Sequence, residues 1–158
     1  TTSALACPRS RYFGMSCGHR YVFRGLTYDK NANPTTDGLL PRDPRASCTI
    51  MEQLNYYRSN VGTQYISCSK SFLAAAYYAT NHGHEPGTVV KIDLEDPEFC
   101  SNIIDISDSC QAEAQGLKVG SDLFNFAVRH GELLVDHKIP PSAVCADRQH
   151  RARNQRQR

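Results

Sequence analysis

Tyr65-Ile66-Ser67-Cys68-Ser69-Lys70-Ser71, running straight into Phe72-Leu73-Ala74-Ala75-Ala76-Tyr77-Tyr78-Ala79, is the stretch whose reading decides the fold. Its first half alternates, with Tyr65, Ser67 and Ser69 on one side and Ile66 and Cys68 on the other. That is the period of a strand with one apolar face and one face of hydroxyls. Its second half is helical: consecutive alanines have the highest helix propensity, and Phe72, Ala75, Ala76 and Ala79 form an apolar stripe at i, i+3, i+4 and i+7. Ser69 or Ser71 is a ready N-cap. A strand of hydroxyls that turns into a packed helix sets polar groups on the floor of a cleft. On an antiparallel edge the same Ser-x-Ser would simply face solvent.

Working outward towards the N-terminus, Thr49-Ile50-Met51-Glu52-Gln53-Leu54-Asn55-Tyr56-Tyr57-Arg58 reads as part of a short amphipathic helix over 49–60. Ser47 or Thr49 is its cap, and Ile50, Leu54 and Tyr57 form its apolar face. Residues 27–48, with Asn31, Asn33, Pro34, Asp37, Gly38, Pro41 and Pro44 and no periodicity, read as a long surface loop, a type that in a small domain commonly serves binding. Tyr21-Val22-Phe23-Arg24-Gly25 has strong strand propensity and ends in an arginine. That arginine is either an exposed edge residue or a clamp for phosphate or carboxylate, which its planar fork of donors suits. Residues 1–19 read as an extended arm.

Towards the C-terminus, His82-Gly83-His84-Glu85-Pro86-Gly87 is a turn, and lacks a third ligand at metal-binding spacing. Thr88–Leu94 and Asn102–Ile106 read as strands, with a short helix possible from Ser109 to Leu117. Phe124–Gly131 reads as a loop carrying two aromatics. Glu132-Leu133-Leu134-Val135 is a strand that opens with its only acid, and Ile139–Val144, with Pro140 and Pro141, closes the domain as an extended edge.

The 158 residues suffice for one domain with a sizeable core, and 40% of them are apolar. No apolar run approaches the roughly 20 residues of a membrane span. Net charge is +2, but the last eleven residues hold five arginines and no acid, so the body is mildly acidic. Residues 147–158 therefore read as a basic, flexible tail, which can also hold a polyanion. The seven cysteines cannot all pair within one chain, and none has zinc-like spacing. Cys7 with Cys17 and Cys100 with Cys110 are candidate disulfides if the protein is exported. An exported or delivered domain is favoured over a resident cytosolic enzyme.

Three features now stand in order: a strand ending in Arg24-Gly25, the strand Ser67-Cys68-Ser69 followed by an alanine-rich helix, and Gly131-Glu132 at a strand start. Over residues 20–146 this set resembles the R-S-E class of mono-ADP-ribosyltransferases, the cholera-toxin-like branch that also holds the guanine-modifying pierisin-like enzymes. The resemblance implies an α+β, ADP-ribosyltransferase-like fold in which two small, mostly antiparallel sheets form an NAD cleft with flanking helices. It implies NAD as substrate, no metal, a macromolecular acceptor, and a monomer. Glu132 would bind the nicotinamide ribose and stabilise an oxocarbenium-like charge, the electronic problem glycosidases solve with carboxylates. Arg24 would grip phosphates, with Gly25 letting the dinucleotide approach. Ser67 would hold the glutamate, Ser69 would support the cleft, and Phe72 or Tyr78 would stack on nicotinamide.

Two positions depart from the family pattern. Cys68 stands where threonine is common, and His130 stands where arginine modifiers carry glutamate and other members glutamine. Asp122–His130 lies where the family places its acceptor-recognition loop. Arg129 and His130 would repel a guanidinium and attract a phosphate, while Phe124 and Phe126 offer ring faces to a base. A nucleic-acid acceptor is therefore favoured over an arginine side chain, with a protein-modifying enzyme or an NAD glycohydrolase as alternatives. A basic nucleic-acid-binding module without catalysis is the non-enzyme alternative.

Overall fold

The computed structural model describes residues 19–27, 33–56 and 62–152. In chain order its elements are β1 (Tyr21–Thr27), α1 (Pro34–Asp37), α2 (Ile50–Tyr56), β2 (Tyr65–Ser69), α3 (Phe72–Ala79), β3 (Gly87–Asp93), β4 (Ile103–Asp105), α4 (Ser109–Ala114), α5 (Asp122–His130), β5 (Glu132–Asp136), a 3-10 turn at Pro141–Ala143, and β6 (Val144–Ala152). The architecture is α+β. The strands form one antiparallel six-stranded sheet in the order β4-β5-β2-β1-β3-β6, rather than two separate sheets. Its halves are nonetheless barely joined. β1 pairs with β3 along its whole length and β2 with β5 along its whole length, yet β1 meets β2 at the single pair Phe23↔Ser69.

The alternation of β2 survives intact. Ile66 and Cys68 are buried with Val22, Val90, Ile92, Leu133 and Val135 on one face of the sheet. A bridge between Leu39 and Ile139 helps close that core. On the other face, α2, α4 and α5 pack around Ile106, Leu117, Phe124, Ala127 and Leu134. There α3 lies on β1 and β3 through Ala75, Ala79 and Val89. The helix sits so close that a Cβ at Gly25 would lie 2.2 Å from the Ala75 carbonyl oxygen. Helix packing therefore demands the missing side chain at Gly25, independently of any cofactor.

The caps follow the sequence. Ser71, not Ser69, caps α3, accepting from the Ala74 N–H at 3.2 Å. Thr49 and Glu52 form a reciprocal capping box at α2: the Thr49 N–H donates to the Glu52 carboxylate at 2.6 Å, and the Glu52 N–H donates to the Thr49 hydroxyl at 3.2 Å. Tyr57, assigned above to this helix's apolar face, lies outside the described residues.

Several expectations change. Asp122–His130 is a helix, not a loop: Ser121 caps its start, accepting from the Phe124 N–H, and Gly131 ends it in the left-handed conformation at φ 55°. Phe124 and Phe126, two apart, mimic a strand's alternation, but on a helix they diverge, and only Phe124 enters the core. The loop over 27–48 contains the single-turn α1. Residues 147–152, read above as the start of a tail, continue β6 beside β3. Cys110 is an exposed free thiol while Cys100 is disulfide-bonded, so the expected Cys100–Cys110 bridge is not made; the Cys7–Cys17 pairing lies outside the described residues. Among the described residues no helix is long and apolar enough to cross a membrane.

Candidate active site

The parting of β1 from β2 creates the site. Continued past Phe23↔Ser69, the register would set Gly25 against Ser67, but the ladder stops. A buried carbonyl left without its ladder partner must find another donor. Here Arg24 supplies it, its Nη1 donating to the Ser67 carbonyl oxygen at 2.5 Å. The guanidinium thus spans the gap between the two halves of the sheet. It has further N–H donors with which to bind an anion.

Across β2 and β5, Ser69 pairs with Glu132 and Ser67 with Leu134, so Ser67 and Glu132 are diagonal neighbours on one face. The Ser67 hydroxyl donates to Glu132 Oε1 at 2.6 Å. Glu132 is 6% exposed, and burial pushes its carboxyl above the ordinary value of 4.5. The Ser67 hydrogen bond opposes that rise first, followed by the fields of His130 and Arg24. The site therefore holds a desolvated carboxylate whose negative charge is sustained by one hydroxyl and by neighbouring positive potential.

Ser69 is tied into the scaffold. Its hydroxyl donates to the His130 carbonyl oxygen at 2.5 Å and accepts the Ser71 N–H at 2.9 Å. The Lys70 N–H donates to the Gly131 carbonyl oxygen at 2.8 Å, and the Lys70 ammonium pairs with buried Asp105 at 2.8 Å. These bonds clamp the β2–α3 junction to the α5–β5 junction. The left-handed turn at Gly131 then presents a helix end, His130, and a strand start, Glu132, to the same space.

That space is a cleft of about 1070 Å³, lined by Arg24, Gly25, Ser67, Ser69, Tyr78, Phe126, His130 and Glu132 among others. Three of the sequence-derived site residues are elsewhere. Phe72 packs edge-on against Phe23 at 5.6 Å and does not line the cleft. Phe124 is buried under the sheet, and Arg129 is exposed but outside the lining. Sequence reasoning gave the 27–48 loop a binding role without singling out Asn33, the N-cap of α1, or Asp37 of α1, and it missed Gln53 of α2 and the turn residues Asn81 and His82; all five line the cleft. Asn81 and His82 both take left-handed backbone conformations, at φ 46° and 61°, which a non-glycine residue adopts at a cost. His82 stacks on Tyr77 with ring centroids 4.6 Å apart. Asn33, Asp37, Asn81 and His82 come from segments without periodicity, and Gln53 lies off the apolar face of α2, so no local pattern marks them as cleft residues.

A family model described as a domain of unknown function, DUF7587, matches residues 18–152. No curated protein matches the chain by sequence. Among solved structures, EcPltA shares the fold at 15% identity and a TM-score of 0.54, with 82% of this chain and 74% of that one covered. The A subunit of a heat-labile enterotoxin mutant aligns at 15% identity and a TM-score of 0.48, over 85% of this chain and 75% of its own.

Proposed function

We propose that this chain, which belongs to the DUF7587 family, cleaves NAD at its nicotinamide–ribose bond and transfers the ADP-ribose to a macromolecular acceptor. One observation carries the reading: a buried carboxylate, Glu132, accepts a 2.6 Å hydrogen bond from Ser67 in the same cleft as Arg24. The fold shared with EcPltA and the R-S-E order of the three residues both support it.

The chemistry follows from these groups. As the glycosidic bond breaks, its electron pair leaves with the nicotinamide ring nitrogen and positive charge develops on the ribose. A carboxylate already stripped of water and fixed in place stabilises that charge without reorganising. Ser67 positions the carboxylate and favours its ionised form against the burial that disfavours it. Arg24, anchored on the Ser67 carbonyl, turns its remaining donors to the pyrophosphate. Tyr78 and Phe126 offer aromatic surface to the planar groups of the dinucleotide.

For the acceptor, a nucleic acid is favoured over an arginine side chain. Phe126 is partly exposed, Arg129 stands next to His130 at the end of α5, and the chain ends in an arginine-rich segment. Phe124, buried in the core, takes no part.

The test is labelled NAD supplied with DNA, RNA and a cell protein extract in parallel, with free nicotinamide measured in each. The expected result is nicotinamide release and label on nucleic acid, with Glu132→Ala reducing turnover by about two to four orders of magnitude while the protein stays folded. A wild-type protein that releases no nicotinamide, or a folded Glu132→Ala variant with full activity, would overturn the assignment. Label on protein that survives nuclease would overturn the acceptor alone.

A further inference from the structure

β5 is held unevenly at the end that carries Glu132. On one side β2 pairs with it as far as Ser69↔Glu132. On the other side the β4 ladder stops one residue short, at Asp105↔Leu133, so among the described residues no strand flanks Glu132 there. Lys70 closes that side. It leaves β2 directly after Ser69 and donates its N–H to the Gly131 carbonyl oxygen at 2.8 Å. It also packs so closely on Gly131 that a Cβ added there would lie 3.2 Å from the Lys70 Cβ. Its ammonium then meets Asp105 of β4 at 2.8 Å, and because β5 lies between β2 and β4 the side chain spans the start of β5. Strands two places apart are separated by roughly 10 Å, so the contact uses the length of a lysine stem. Asp105 is 4% exposed, and both its oxygens are engaged. Oδ1 accepts from the Ser107 N–H at 3.1 Å and from the Ser107 hydroxyl at 2.6 Å, which leaves Oδ2 to Lys70. Against apolar residues of the same volume such a pair seldom gains stability, since desolvation offsets the attraction. What it supplies is a direction, one cation aimed across a neighbouring strand at one oxygen.

We propose that the Lys70–Asp105 pair positions Glu132: it straps the start of β5 in place, so that the carboxylate stays on the Ser67 hydroxyl and at the point where charge develops on the ribose. The inference rests on the NAD-cleaving reading above and adds two positioning residues to it. Neither Lys70 nor Asp105 lines the cleft, so both act through the Gly131–Glu132 backbone. A displacement of about 1 Å at a reacting group can cost about 10²-fold in rate. Arg24 and Tyr78, by contrast, are carried by β1 and by α3, which packs on β1 and β3 away from the strap. Loosening the strap therefore slows the chemical step while leaving the grip on the dinucleotide.

The test measures nicotinamide release from NAD by the full chain. Asp105→Asn keeps an oxygen for Ser107 but turns an amide N–H towards the ammonium, so it breaks the pair at constant volume. Lys70→Met combined with Asp105→Asn removes both charges and keeps the stem. Both proteins are expected to lower kcat by about 10- to 100-fold with little change in KM for NAD, and to unfold as cooperatively as wild type. Lys70→Arg, which keeps a cation for Asp105, should retain most of kcat. A folded Asp105→Asn or double variant with wild-type kcat overturns the proposal, as does a loss carried by KM alone, or a Lys70→Arg protein as slow as the variants without the pair. Where the double variant does not fold, Asp105→Asn decides, because Lys70, with its side chain 22% exposed, can turn to water. A wild-type protein that releases no nicotinamide removes the reading beneath the proposal, and that outcome is read before any variant is compared.

Discussion

At the scale of single residues, Glu132 sets function against stability. Burial raises its carboxyl above 4.5, so between that value and the raised one the folded state binds more protons than the unfolded state. Stability is then greatest below the ordinary carboxylate range and falls as pH rises through the raised value. Glu132→Gln removes the charge and keeps the shape. It is expected to unfold at a higher temperature than wild type at neutral pH, with the difference shrinking as the pH is lowered past the carboxylate range. Thermal unfolding of both proteins across that range checks the sign; a variant less stable than wild type at neutral pH would mean that Ser67 and Arg24 more than offset the desolvation. On the proposed reading the same substitution should abolish most NAD turnover, since it removes the charge proposed to stabilise the ribose cation.

At the scale of elements, the contact between α3 and the sheet depends on residues without side chains. Added Cβ atoms would lie 2.2 Å from the Ala75 carbonyl oxygen at Gly25 and 1.9 Å from the Ala79 carbonyl oxygen at Gly87. Both clashes are with backbone, so α3 would have to move as a unit. Gly25→Ala is expected to destabilise by about 1–3 kcal/mol or more, measured as a lower urea midpoint with an unchanged slope. On the proposed reading it should also weaken NAD binding, because α3 carries Tyr78 to the cleft. A midpoint equal to wild type would show that the helix shifts without cost.

At the scale of the whole molecule, two halves of one sheet meet at Phe23↔Ser69, and the cleft lies where they part. Cys68, on the buried face of β2, has its thiol pushed up to about 12 by burial. The thiolate is the reactive form, so Cys68 should resist alkylation as long as the sheet is closed. Cys110 is exposed on α4 and should react within the dead time of the same experiment. Mass mapping of alkylated peptides along a denaturant series is expected to show Cys68 modified only in step with global unfolding. Its modification well before the transition would reveal that the two halves open separately.

The amino-acid sequence by itself determined what depends on neighbours in the chain. The two-residue period of Tyr65–Ser69, the alanine stripe of α3, and the cap residues are local geometry, and each reads directly from residue types. The strand settings of Ser67 and Glu132 were legible for the same reason, since the alternation over Tyr65–Ser69 and the run Glu132–Val135 are local patterns. The tertiary structure alone decided what depends on contacts between distant segments. Phe124 faces inward and Phe126 outward because the segment is a helix packed on Leu134, a choice that spacing of two cannot make. Gly25 is required by a helix fifty residues further on. Asn33, Asp37, Gln53, Asn81 and His82 line the cleft only because the sheet folds their segments around one opening. Local periodicity encodes which face a side chain takes along its own element; which other elements it meets is settled by packing across the sheet, and the cleft is made of such meetings.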